Sequence, residues 1–184
     1  MSFHSPFTIH HSPFDYEVIV VGAGAAGLSA ALWCDELGFK TVVVEAADRI
    51  GGQLHRVYNR IENHLGTPKA QNGREMAEIF AAQIEKRGFE LRFNAQIAAA
   101  NLKDKQIELS GGETLTARAL VLATGVSRRK LNVPGEEEFK NRGILESGKR
   151  DAETMRGKPF ASSAAATRRA KTPLFWRTPP RACF

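Results

Sequence analysis

The spacing of three glycines, Gly22, Gly24 and Gly27, constrains this chain more than any other feature, because they sit between two stretches of opposite character. Tyr16 to Val21 is rich in β-formers, as in a strand, whereas Ala25 to Leu37 is rich in Ala and Leu, which favour helix. A strand that turns into a helix through G-x-G-x-x-G gains a tight turn at the first glycine, close approach of a pyrophosphate at the second and close helix–strand packing at the third. The helix N-terminus adds unpaired N–H groups and partial positive charge. Gly38 closes the helix, Thr41 to Glu45 reads as a second strand, and Glu45 at its end can accept hydrogen bonds from ribose hydroxyls. Strand, helix, strand and acid in register predict a βαβ unit that binds a dinucleotide.

Beyond it, a polar loop runs from Gly52 to Gly66. Gly73 to Arg87 then carries Met76, Ala77, Phe80, Ala81 and Ile84 at helical spacing, with Gly88 as a C-terminal stop. Short strands are predicted at Glu90 to Phe93, Ala95 to Ala100, Lys105 to Ser110 and Thr114 to Thr116, with a turn at Gly111 and Gly112. Ala119 to Ala123 reads as a buried central strand, so the preceding strands form a β-meander inserted before it. No internal repeat is visible.

The segment Glu45 to Leu54, with its Gly51-Gly52-Gln53 loop, resembles the FAD-containing thioredoxin reductase-like family of pyridine nucleotide-disulfide oxidoreductases, in which that loop runs under the flavin. Matches continue in order through Ile61-Glu62-Asn63 and Gly66, the helix end at Gly88, Ala123-Thr124-Gly125, and Val133-Pro134-Gly135-Glu136, so the resemblance covers residues 15 to about 158. It implies an α/β, Rossmann-like FAD-binding domain of the GR2 type, a parallel sheet carrying a β-meander, incomplete at its C-terminal end. It also implies flavin contacts at Gly22, Gly24, Ala25, Ala26, Gly27, Glu45, Gly52, Gln53, Asn63, Ile97, Thr124 and Gly125. Tyr58 matches a ring near the flavin in reductases of the ferredoxin-NADP type and otherwise packs a loop. One departure bears on the reaction. Thioredoxin reductases carry a redox Cys-x-x-Cys-Asp where this chain has Ser147-Gly148-Lys149-Arg150-Asp151. A hydroxyl and a guanidinium form no disulfide, so direct reduction of thioredoxin through that pair is excluded.

With 42% hydrophobic and 25% charged residues, the 184-residue chain has a globular composition and enough length for one core. It contains no apolar run of roughly twenty residues to span a membrane and no signal-peptide h-region, and its two cysteines, Cys34 and Cys183, make no disulfide framework. These features point to the cytoplasm. His4, His10 and His11 in a loose leader lack partner ligands at metal spacing, and His55 and His64 read as structural or solvent-facing, so no metal is expected. Residues 1–158 hold 21 basic against 20 acidic side chains, which argues against a nucleic-acid partner.

The surplus of positive charge lies in the tail, where Arg168, Arg169, Lys171, Arg177 and Arg181 have no acid among them. Where the family places a second strand–glycine–helix unit, after Lys158, none is written. With G/C-rich codons, however, reading from the third base of each codon from Pro159 gives Val-Cys-Val-Val-Gly-Gly-Gly-Asp-Ala-Ala, a strand followed by G-x-G-x-x-A. The tail therefore reads as a shifted frame. The alternative is a disordered basic segment that binds an anionic surface.

The expected organisation is a flexible leader at 1–14, an FAD-binding domain at 15–146, a linker at 147–158 toward an NAD(P)H domain, and an aberrant or disordered basic tail at 159–184. The resemblance implies that the intact protein passes electrons from NAD(P)H through FAD to an acceptor the sequence does not identify, and that it forms a homodimer. The 184 residues alone are expected to retain FAD weakly or not at all and to turn over no NAD(P)H. Two rivals stay open: a non-catalytic FAD-binding fragment and an NAD-binding dehydrogenase domain.

Overall fold

A computed structural model describes residues 13–66, 70, 72–127, 130, 132–140, 142–145, 147, 150–162 and 174–176. The histidines of the leader and most of the basic tail lie outside them. Two compact units divide the chain, residues 1–126 and 127–184.

The first unit is built on parallel strands β1 (Tyr16–Val21), β2 (Thr41–Val44) and β3 (Glu90–Arg92), with helices α1 (Ala25–Glu36) and α2 (Gly73–Ile84). Strands β4 (Ile97–Asn101), β5 (Gln106–Leu109) and β6 (Thr114–Leu122) complete a six-stranded sheet in the order β3-β2-β1-β6-β5-β4. Side chains alternate across the parallel strands. Val18, Val20 and Val43 join Leu28, Ala31, Met76, Phe80 and Ile84 in one buried cluster on the helical side. Ile19, Val21, Val42 and Val44 join Ile107, Leu109 and Leu115 of the meander in a second. Covering both faces explains why Val18–Val21 of β1 and Val42–Val44 of β2 are unbroken apolar runs instead of alternating with polar residues. This is the α/β architecture expected from the sequence.

Several boundaries differ. The strands expected at Thr114 to Thr116 and Ala119 to Ala123 are one, because Ala117 and Arg118 stay extended between two ladders. The first half of β6 pairs antiparallel with β5, and the strand also runs parallel to β1 up to the pair Val21 and Leu122. Helix α2 ends at Ile84, short of Arg87, and its start is fixed by Asn72, whose side chain accepts the Glu75 N–H at 3.0 Å. The loop after Gly51 contains a 3-10 turn at Gly52–Arg56 that the polar composition did not reveal. In the second unit a short helix α3 spans Ala152–Met155. Phe160–Ser162 pairs antiparallel with Leu174–Trp176, within the segment expected to be without structure.

A polar network fastens the edge of the first unit. Tyr16 donates its hydroxyl to Glu90 at 2.5 Å, and Arg92 reaches Glu90 at 2.7 Å, Glu113 at 2.7 Å and the Tyr16 oxygen at 3.0 Å, tying β1, β3 and the turn before β6. Asp15 accepts the Thr116 hydroxyl at 2.8 Å and the Thr116 N–H at 2.9 Å. The hydrogen bond from Tyr16 holds the Glu90 carboxyl below its ordinary value, and those from Thr116 do the same for Asp15. Burial, then the bond to Glu90, pushes the Tyr16 phenol above its ordinary value of 10.0. The two carboxylates bind protons more weakly folded than unfolded, so their stabilisation is present above about pH 4.5 and is lost as pH falls through the folded values. Tyr16 keeps its proton more tightly when folded, so its contribution is present below about pH 10 and is lost as pH rises through the folded value. Thermal unfolding followed by circular dichroism is expected to show stability declining at both extremes, with Tyr16→Phe reducing the alkaline decline. An unchanged alkaline slope in that variant would assign the decline to other groups.

Candidate functional site

At the C-terminal ends of β1, β2 and β6 the chain leaves the sheet around a cavity of about 730 Å³, inside the size range of small-molecule and cofactor sites. Open α/β sheets bind ligands at this end, where strands finish and helix N-termini begin. The β1–α1 turn forms one wall. Gly22 adopts φ +104 and donates its N–H to the Val44 carbonyl at 2.8 Å. A Cβ on Gly22 would stand 2.4 Å from the Ala123 carbonyl oxygen, and one on Gly27 would stand 1.8 Å from the Gly22 carbonyl oxygen. Both positions thus exclude side chains because backbone segments of the protein itself meet there. Gly24 is different. Its φ of −77 suits any residue, and apart from its own chain neighbours no part of the described protein lies within 4 Å of where its Cβ would be. It lines the cavity, so a side chain there would take up space in the site and disturb nothing in the fold.

Glu45 follows β2 and is fixed by two backbone donors, the Ala23 N–H at 2.7 Å and the Ala47 N–H at 2.9 Å, one to each carboxylate oxygen. Each oxygen keeps acceptor capacity for a further donor from the cavity. The opposite wall is the 3-10 turn, where His55 Nε2 meets the Ile50 carbonyl at 2.7 Å and the Gln53 side chain donates to the Val126 carbonyl. This last bond joins the 3-10 turn to the segment that follows β6, with Thr124 and Gly125 between.

The cavity brings together Gly22, Gly24, Ala25, Ala26, Glu45, Gly52, Gln53, Ile97, Thr124 and Gly125 of the residues singled out in the sequence. Gly27 lies beneath the turn as a packing residue. Tyr58, half-buried, and Asn63, exposed, are not part of the lining. Sequence reasoning missed Val21, Val44 and Leu122, the last residues of three parallel strands, and Ala95 and Gln96 from the loop before β4. The rule that ligands sit beyond strand C-termini would have found the first three. In the second unit Ser147 and Arg150 belong to the turn before α3: the Ser147 hydroxyl accepts the Arg150 N–H at 3.3 Å, and the Arg150 guanidinium is paired with Asp151 at 2.6 and 2.9 Å.

Comparison with known proteins gives a consistent result. The family model described as pyridine nucleotide-disulphide oxidoreductase matches residues 16–162. Among curated relatives, the chain is 35% identical to an NADH dehydrogenase of Bacillus subtilis over 81% of its own length and 28% of that protein. It is 36% identical to a thioredoxin reductase of Treponema pallidum over 71% of its length and 42% of that protein. Among solved structures, a thioredoxin reductase of Lactococcus lactis superimposes with a TM-score of 0.64 at 30% identity, covering 74% of this chain and 44% of that one. The chain thus spans less than half the length of each of these relatives.

The glycines can be separated by experiment. Gly27→Ala forces two backbone segments apart and is expected to cost about 3 kcal/mol or more. Gly24→Ala changes only a helix N-cap and is expected to cost under about 1 kcal/mol. Urea unfolding of the two variants measures both; equal losses would contradict the packing described.

Proposed function

Because the chain belongs to the pyridine nucleotide-disulphide oxidoreductase family, we propose that the cavity at the ends of β1, β2 and β6 holds FAD, and that the whole protein passes electrons from NAD(P)H through that FAD to an acceptor without using a dithiol. The observation that carries the reading is Gly24: a glycine demanded neither by its backbone angles nor by the protein's own packing, at the second position of the fingerprint, is explained by a ligand backbone that must come close. The remaining residues fit the same group. The β1–α1 turn and the N-terminus of α1 would hold the pyrophosphate. Glu45, already oriented by two N–H donors, would accept the ribose hydroxyls. Gly52 and Gln53 would support the isoalloxazine, and Thr124 and Gly125 would let the backbone approach the ribityl chain.

FAD supplies the hydride and electron chemistry when bound; the protein positions it and sets its surroundings. The reading without a dithiol is supported by Ser147 and Arg150, whose side chains cannot carry a disulfide at the position of the family's redox pair. The Arg150 guanidinium is engaged by Asp151 and the Ser147 hydroxyl accepts a backbone bond, which supports a structural turn there and a different exit for the electrons.

Titration of the chain with FAD, followed by quenching of flavin fluorescence, tests the reading. Saturable binding is expected, weakened about tenfold or more in Gly24→Ala, a loss of about 1.4 kcal/mol of binding free energy, with the melting temperature little changed. Glu45→Gln is expected to weaken binding in the same direction. Binding of NAD+ as tight as that of FAD would replace the flavin reading with that of a nicotinamide-binding dehydrogenase domain.

A further inference from the structure

After Lys158 the sequence changes character in a way the fold does not absorb. Residues 1–158 balance 21 basic with 20 acidic side chains, whereas 159–184 contain five basic residues and no acid. Likeness to the family ends at residue 162, within a few residues of that change. The backbone of Phe160–Ser162 pairs antiparallel with Leu174–Trp176, whereas a dinucleotide-binding unit requires a parallel strand running into a helix through a glycine turn.

The genetic code supplies the missing element. When the frame is displaced to start on the third base of the Pro159 codon, the second and third bases of every new codon are the first two of the codon written. Phe160 contributes TT, Ala161 GC, Ser162 and Ser163 TC, Ala164 to Ala166 GC, Thr167 AC, and Arg168 and Arg169 CG, with the four-codon boxes of Ser and Arg. The displaced codons then have middle bases T, G, T, T, G, G, G, A, C, C. These permit an apolar strand, three glycines in a row, an acid and two alanines. With G in the third positions, except T in Phe160, they read Val-Cys-Val-Val-Gly-Gly-Gly-Asp-Ala-Ala. Beyond it, Lys171, Thr172 and Pro173 permit Glu-Asn-Ala, and Phe175, Trp176 and Arg177 permit Val-Leu-Ala, residues that extend a helix. The fixed bases therefore permit a strand, a G-x-G-x-x-A turn and a helix in the correct order, and G in the third positions spells the glycines.

We propose that residues 159–184 are read in a frame displaced by the loss of one base in or beside the Pro159 codon, and that the undisplaced frame encodes a strand, a G-x-G-x-x-A turn and a helix, the start of the second nucleotide-binding unit that the family carries. With the base restored, Gly157, Lys158 and Pro159 stand unchanged and continue directly into Val-Cys-Val-Val-Gly-Gly-Gly. The inference locates where in this gene the second unit begins and does not depend on the flavin site, whose residues are all encoded upstream.

Resequencing of independently amplified genomic DNA across the codons for Arg156 to Phe184 decides it. The expected result is G at the third positions of Ala161 through Ala165, so that the displaced frame spells Val-Val-Gly-Gly-Gly. Tryptic peptides of the protein from its source cells then locate the loss. A peptide beginning Gly-Lys-Pro-Val-Cys-Val-Val places it in the recorded sequence, and one beginning Gly-Lys-Pro-Phe-Ala-Ser places it in the gene. Third bases that spell arginine, serine or cysteine in place of the glycines overturn the proposal. Such a failure leaves the FAD titration untouched, so the two readings fall separately.

Discussion

Three backbone segments meet at Gly22 and Gly27, and the rest of the first unit depends on how closely they do so. The end of β1, the first turn of α1 and the segment after β6 approach to distances at which a Cβ on either glycine would overlap a carbonyl oxygen. The approach is sustained by bonds on both sides, from the Gly22 N–H to Val44 and from the Ala123 N–H to Val21, each at 2.8 Å. Because it keeps β1 level with β2 and β6, the three strands end together, and α1 starts where they end. The cavity is the space this arrangement leaves. Its position is thus a result of sheet register and helix packing before any ligand is considered.

Glu45 converts that space into a site with a fixed charge. Its two N–H donors come from opposite directions, Ala23 in the β1–α1 turn and Ala47 in the loop beyond β2, and its own carbonyl accepts the Ala95 N–H at 2.9 Å from the loop before β4. One residue therefore joins the loops that follow β1, β2 and β3. A ligand hydroxyl meets a carboxylate already ordered by the fold, so little side-chain entropy is left to lose on binding. The Gln53 amide plays a similar part across the cavity by joining the 3-10 turn to Val126.

What the sequence made legible follows from how local each cause is. The β1–α1–β2 unit was readable because strand composition, glycine spacing and a terminal acid all lie within a short stretch; Gly22, Gly24, Ala25, Ala26 and Glu45 of the wall they form were singled out, whereas the strand-end residues Val21 and Val44 were not. The 3-10 turn at Gly52–Arg56 was not, since it is too short to show a periodic pattern and its side chains His55 and Gln53 bond outside it, to Ile50 and Val126. Ala117 and Arg118 concealed the continuity of β6 because the strand exchanges an antiparallel partner for a parallel one, a tertiary event that propensity does not register. Asn63 and Tyr58, carried over from a family pattern, lie in the loop beyond the 3-10 turn and outside the cavity lining. Ala95 and Gln96 enter the lining from a loop placed by the pairing of β2 with β3, far from the fingerprint in sequence.

The three fingerprint glycines also separate two kinds of constraint that a motif merges. Gly22 and Gly27 are required by the chain's contact with itself, and a protein with this fold but no ligand would need them equally. A Cβ on Gly24 would meet nothing within 4 Å beyond its own chain neighbours. A fold argument accounts for two of the glycines and leaves the third unexplained, whereas a ligand argument accounts for the third alone. The motif therefore points to binding through the residue that contributes least to the fold. All of the cavity's lining residues fall between Val21 and Gly125, in the first unit with its own two apolar clusters. The change in sequence after Lys158 consequently alters none of the groups that define this site, and a fault of reading frame there is compatible with an intact first dinucleotide pocket.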